Sequence, residues 1–191
     1  MVIREATEDD VPQLAALYAG SVKALAPSAY SGEQVNAWAS FAENFEAFRR
    51  FVLEPQTIVM EDDSGILGFC GVDATGHVAS LYVRADRARQ GIGTRLLQVA
   101  LDHAGALGVH TFHAEASELS LPVFQRFGFV VRGIEKGACG GAEFERYLVR
   151  KGSPTPYKAM EPLLGCAKGG PKRLSERTGK RFSRSLRSRR K

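Results

Sequence analysis

Apolar and polar positions follow a regular order along roughly the first 150 residues. Val2–Glu5 alternates as a short strand, after which Val11, Leu14, Ala15, Tyr18 and Val22 recur at helical spacing. Thr7-Glu-Asp-Asp10 places a capping hydroxyl and acidic groups where a helix N-terminus favours them, and Pro12 falls in the first turn, where a missing N–H costs little. Ser31 and Gln34 offer a capping box for a second helix through Trp38. Residues 44–51 continue helically with Phe45, Phe48 and Phe51, an aromatic stripe whose spacing predicts core. From residue 57 the period shortens. Strands are predicted over 57–61, 66–73 and 77–84, joined by Asp-Ser-Gly and Thr-Gly turns, so consecutive hairpins make them antiparallel.

A basic loop with glycines follows over 85–94, and then a helix with Ile92, Leu96, Leu97, Ala100, Leu101 and Ala104 on one face. A strand over 110–116, a short helix over 122–127 and strands over 129–135 and 142–149 complete the order. The sum is an α+β fold with a mixed central sheet flanked by helices.

Composition refines this without changing it. With 44% hydrophobic and 25% charged residues in 191, the chain reads as a globular domain with an appendage, which excludes collagen-like, coiled-coil and wholly disordered classes. No stretch approaches the roughly 20 apolar residues of a membrane span, and the opening MVIREATEDD is too acidic for a signal peptide, so a cytoplasmic protein without membrane contact is expected. Cys70, Cys139 and Cys166 lack ligand spacing, so neither a disulfide framework nor a metal site is expected. The formal charge of +5 conceals a split. Residues 1–167 carry 15 basic and 20 acidic groups, whereas 168–191 carry 11 and 1. Gly, Pro, Ser and basic residues dominate beyond 151, so a folded domain over 1–151 and a basic, disordered extension over 152–191 are expected.

Chemistry concentrates in Arg87-Ala-Arg-Gln-Gly-Ile-Gly-Thr94. Between a strand and an amphipathic helix, its amides converge at a helix N-terminus, where unpaired N–H groups and the dipole favour an anion. Gly91 and Gly93 place no Cβ in the way of a phosphate. The loop lacks both the Walker ending and a third glycine of the dinucleotide fingerprint. A pyrophosphate cradle is the reading that the context favours over a plain tight turn.

LYVRADRARQGIGTRLL followed by EASELSLPVFQRFGF resembles the two cofactor segments of the GNAT superfamily of acetyl-CoA-dependent N-acetyltransferases, and the element order agrees. IREATEDDVPQL and AYSGEQVNAWAS also resemble a bacterial subgroup, the YafP-like acetyltransferases. The resemblance covers about residues 2–151. It implies a mostly antiparallel sheet with a V-shaped splay between its two central strands, and acetyl-CoA as donor. Backbone groups of Leu81, Tyr82 and Val83 would meet the pantetheine arm. Gln90, Gly91, Ile92, Gly93 and Thr94, with Arg89, would hold the pyrophosphate, and Phe124 would lie beside the cofactor. The amine would attack the thioester directly, with a strand amide polarising the carbonyl and no metal or acyl-enzyme.

Three positions depart from the family. Ala88 replaces a Gln or Arg that contacts phosphate, Phe124 replaces a tyrosine that protonates the thiolate, and Ala79 stands where the subgroup often has a carboxylate. Candidates for the vacated roles are Glu115 as base, or else a solvated strand end; Ser117 as water-mediated acid, or else a helix N-cap; and His77 as base, or else a turn residue. Tyr30 and Trp38 flank a capped loop-to-helix junction and bring polar tips with their rings, which makes them acceptor-pocket candidates.

An N-acetyltransferase acting on a primary amine of a small molecule or peptide is therefore the leading expectation, as monomer or homodimer. Two alternatives are a CoA-binding module with little turnover and a domain tethered weakly to nucleic acid or another acidic surface by its basic tail. The tail has two blander readings: it folds back on its own acidic domain, or it has little function.

Overall fold

The computed structural model describes residues 1–152; the basic extension expected beyond the domain lies outside the described residues. Strand β1 (Val2–Glu5) leads to helix α1 (Val11–Leu25), then α2 (Gly32–Ala39) and α3 (Phe45–Leu53). Strands β2 (Gln56–Asp62), β3 (Gly65–Val72) and β4 (Val78–Val83) precede α4 (Ile92–Ala106). After β5 (Thr111–Ala116) come α5 (Leu121–Arg126), β6 (Val130–Cys139) and β7 (Ala142–Gly152). Among the described residues, no helix is long and apolar enough to cross a membrane.

Local chemistry accounts for the helix starts. Ser31 Oγ accepts the Gln34 amide at 3.2 Å while Gln34 Oε1 accepts the Ser31 amide at 2.9 Å, the reciprocal box that the spacing predicts. Asn44 caps α3 by accepting from the Ala47 amide. Asp10 does more than cap: it accepts from the Thr7 amide at 2.7 Å and from both Arg4 terminal nitrogens at 2.7 and 2.9 Å. Arg4 also grips Glu61, so one guanidinium ties β1, β2 and the entry to α1 together.

The strands form two antiparallel sheets, β1-β2-β3-β4 and β5-β7-β6. Between them, a parallel bridge pairs His77 with His113, and the His113 amide donates to the Gly76 carbonyl at 3.0 Å. The mixed character expected of the sheet is thus confined to one joint. Beyond it β4 and β5 diverge, producing the V.

A bulge in β4 sits beside this opening. Ser80 pairs with Gly71 and Val78 with Val72, which leaves Ala79 as an extra residue, and the Ser80 hydroxyl accepts the Gly71 amide at 2.9 Å. Only glycine fits at 71, since a Cβ there would approach Thr57 Oγ1 to 2.5 Å.

Strand β3 is buried on both faces and reads as an almost continuous apolar run. One face meets α4 and α5 through Leu67, Cys70, Leu96, Leu97 and Phe124. The other meets α1 and α3 through Ile66, Phe69, Leu14, Phe48 and Val52. Cys70 is fully buried, and desolvation pushes its thiol well above the usual range, as expected of a small core hydrophobe. The aromatic stripe of α3 needs correction. Phe48 is buried, but Phe45 is 48% exposed although it shares a helix face with buried Val52, because it stands at the very first position of the helix.

Candidate active site

The loop after β4 has the geometry that an anion cradle requires. Gly91 caps α4 in the left-handed region at φ +84°, and a Cβ on it would meet no protein atom within 4 Å. Gly93 is different: its Cβ would lie 3.3 Å from Val83 Cγ2, so its smallness lets α4 pack on β4. The Arg95 amide is the first to bond inward, to the Gly91 carbonyl at 2.9 Å. The amides of Ile92, Gly93 and Thr94 therefore lack intrahelical partners. Arg89 also adopts a positive φ of 64°, alone among the described non-glycine residues. Such a conformation costs energy and persists only where its surroundings hold it.

A cleft of about 450 Å³ runs from this loop along β4 to α5. Leu81, Tyr82 and Val83 line it along the β4 edge that β3 leaves free, with Arg89, Gly91, Gly93 and Thr94 at one end and Phe124 at the other. Arg89 and Arg126 both line it, and among the described residues neither pairs with a carboxylate. An elongated molecule with a phosphate end fits this lining. Gln90 and Ile92 do not line the cleft. The Gln90 side chain turns back to the Asp86 carbonyl, and the Ile92 side chain anchors α4 in the core. Phe124 is 3% exposed and packs edge-on against Phe129, offering the cleft a ring edge and no proton.

A second cavity of about 300 Å³ opens on the other side of the V, and Trp38, Ala79, Tyr82, Glu115 and Ser117 line both. Those shared residues mark where two reactants could meet. Tyr30 lines the second cavity only; its hydroxyl accepts the Glu118 amide at 3.0 Å, and burial raises its pKa, so it stays neutral at ordinary pH. Trp38 donates its indole N–H to the Tyr82 hydroxyl at 3.2 Å.

Glu115 and His77, separate candidates in the sequence, are in contact. His77 Nε2 lies 2.7 Å from Glu115 Oε2, its Nδ1 is 3.9 Å from Asp73 Oδ2, and its ring stacks on His113 at 5.0 Å. His77 lines neither cavity, whereas Glu115, with a side chain 32% exposed, lines both. Ser117 is partly engaged: its hydroxyl pairs with that of Ser120 at 3.0 Å, and its carbonyl accepts the Ser120 and Leu121 amides. Ser117 also caps, but one turn ahead of α5: its hydroxyl accepts the Ser120 amide at 3.2 Å and Ser120 Oγ accepts the Ser117 amide at 3.0 Å, while Ser120, at the start of α5, makes no side-chain cap.

Sequence reasoning missed Asp73, the Ala79 bulge and the rings that complete the second cavity: Tyr18, Phe41, Phe51 and Phe144. For Phe144 a signal existed, since Ala142 and Phe144 alternate inward along β7. The bulge gave none, because it exists only in cross-strand register.

A free strand edge beside a splay, continuous with an amide cradle, is the layout of an acyltransferase that binds its donor through the backbone. Residues 26–141 match the family model "Acetyltransferase (GNAT) domain", so the chain belongs to the GNAT acetyltransferase family. It is 26% identical over 148 residues to the uncharacterized N-acetyltransferase YafP of Escherichia coli (strain K12), covering 78% of this chain and 93% of that relative. A GCN5-related N-acetyltransferase structure from Rhodopseudomonas palustris superposes with a TM-score of 0.76 at 25% identity, covering 80% of this chain and 95% of the other. The PaiA N-acetyltransferase of Thermoplasma acidophilum, solved with coenzyme A, shares the fold: its TM-score is 0.63 at 18% identity, with coverages of 80% and 98%.

Proposed function

We propose that the protein transfers the acetyl group of acetyl-CoA to a primary amine of a small molecule or peptide by direct attack. The carrying observation is that the phosphate-ended cleft and the aromatic cavity share Ala79, Glu115 and Ser117 at the V. When bound, acetyl-CoA supplies an activated acetyl thioester. The amides of residues 90–94, with Arg89, hold its pyrophosphate, and the free edge of Leu81, Tyr82 and Val83 holds the pantetheine arm. Phe124 walls the arm against water.

Glu115 takes the proton that an ammonium must lose before its nitrogen can attack. His77 holds that carboxylate in place from the joint between the sheets and is a positioning residue. Ser117 passes a proton, through water, to the departing sulfur. The irregular backbone at Ala79 presents a strand amide to the carbonyl oxygen, where charge develops.

Calorimetry with CoA, followed by thiol-release assays with acetyl-CoA and an amine panel, tests this reading; a protein that ignores millimolar CoA sinks it. Phe124, which cannot donate a proton, and Ala79, which carries no carboxylate, favour a second reading, a CoA-binding module with little turnover. Tight CoA binding without thiol release across the panel would select it. The tether expected of residues 168–191, which lie outside the described residues, is tested by DNA and RNA retention at low salt with and without that segment.

A further inference from the structure

The acceptor cavity is built of rings whose polar tips are already spent. Tyr18, Tyr30, Trp38, Tyr82 and Phe144 surround it, with Phe41 and Phe51 behind. Trp38 meets Tyr30 edge-on at 5.5 Å and Phe144 at 6.0 Å. The indole N–H goes to Tyr82, the Tyr18 hydroxyl donates to the Trp38 carbonyl at 3.3 Å, and the Tyr30 hydroxyl accepts from Glu118. What faces the cavity is therefore mainly ring surface. The β6–β7 hairpin closes over it: Gln34 Nε2 donates to the Glu143 carbonyl at 2.6 Å, and a Cβ at Gly140 would strike the Ala37 backbone.

Charge in the lining is sparse, and Arg146 and Glu145 each face a partner of opposite sign. Arg146 donates to Glu135 at 2.8 Å, Glu145 lies 3.5 Å from Lys136, and Glu115 holds His77. Arg146 is the one cation of this lining among the described residues, and Glu135 engages it ahead of a substrate carboxylate. The lining holds two carboxylates: Glu145 faces Lys136, and Glu115, whose histidine partner lies outside both cavities, is the one at the V that a single ammonium can reach.

Resting on the acetyl-transfer reading above, we propose that the acceptor is a primary amine on a compact aromatic or apolar body, with no carboxylate and no second ammonium group. The rings would bury its body and Glu115 would receive the amine, an arrangement that ring surface favours through apolar contact and cation–π attraction. At about 300 Å³ the cavity lies at the small end of ligand pockets, which suits one ring on a short chain.

Four probes separate the classes: 2-phenylethylamine, spermidine, glucosamine and lysine. With acetyl-CoA, 2-phenylethylamine should exceed each of the others in kcat/KM by about tenfold or more. Phe144→Leu should raise the KM for 2-phenylethylamine about tenfold and leave the KM for acetyl-CoA within about twofold. Trp38→Phe, which keeps a ring, should have a smaller effect in the same direction. Because Trp38 is the chain's one tryptophan, its fluorescence reports on the cavity without turnover. Millimolar 2-phenylethylamine should change the emission of the full chain, and spermidine should not. Equal or better use of spermidine, glucosamine or lysine, or an emission unmoved by 2-phenylethylamine, overturns the acceptor class while CoA binding still stands. Loss of CoA binding in calorimetry overturns the acetyl-transfer reading instead.

Discussion

The cleft beneath β4 and the aromatic cavity across the V lie side by side and are built by different means. The cleft uses backbone: a free strand edge, a left-handed glycine and the open end of α4. Apart from Arg89, its loop end presents backbone and small residues, among them Ala88, Gly91 and Gly93. The cavity uses side chains from α1, α2, α3, β4, β5 and the β6–β7 hairpin. Its character can change with single substitutions while the frame stays intact. On the proposed reading, one region holds the donor and the other selects the acceptor.

Gly91→Glu should break this contrast most sharply. It puts a Cβ at φ +84° and a negative charge in the phosphate cradle, and should weaken CoA binding by roughly 100-fold or more in calorimetry. If that variant binds CoA normally, the loop is misassigned. Glu115→Gln should do the reverse, leaving CoA affinity unchanged while lowering kcat by about 10²-fold or more. A normal kcat would remove Glu115 from the chemistry.

His77→Ala should lower kcat by about tenfold and displace the pH profile, with His77→Gln recovering part of the loss by holding Glu115 through an amide. Equal effects from both variants would leave His77 only a structural part in the joint.

The smallest effect on either region should come from Asp10→Asn, which touches the scaffold alone. Bonds from Arg4, ahead of those from Thr7, hold the Asp10 carboxyl at about 2. Depression below the unfolded value means that its stabilisation is present above about pH 4 and lost as the pH falls toward 2. The variant should lose about 2 kcal/mol in urea unfolding at neutral pH and show a flatter acid limb. An unchanged acid limb would place the acid sensitivity elsewhere.

Much of the frame was legible because it rests on local rules. The Ser31–Gln34 box, the strand β1 and the Gly91 turn each follow from residues a few positions apart, and the structure places them where the spacing does. What escaped depends on register or on convergence. The contact between His77 and Glu115 joins residues 38 positions apart through the bridge between the sheets. Phe144 reaches the cavity from the second sheet, and Ala79 becomes an extra residue only against Gly71 and Val72. Phe45 failed for another reason: it lies on the same face as buried Val52, but spacing gives no warning that the helix begins at that residue.

The joint between His77 and His113 has a further consequence for cooperativity. Each sheet satisfies its own ladder independently, while one apolar core, with Val72 from the first and Ala114 and Val149 from the second, joins them. The seam where the cleft and cavity meet lacks that independence: it draws Ala79 from one sheet and Glu115 from the other. On the proposed reading, competence for reaction is thus a property of the joint as a whole, since neither sheet alone carries both groups.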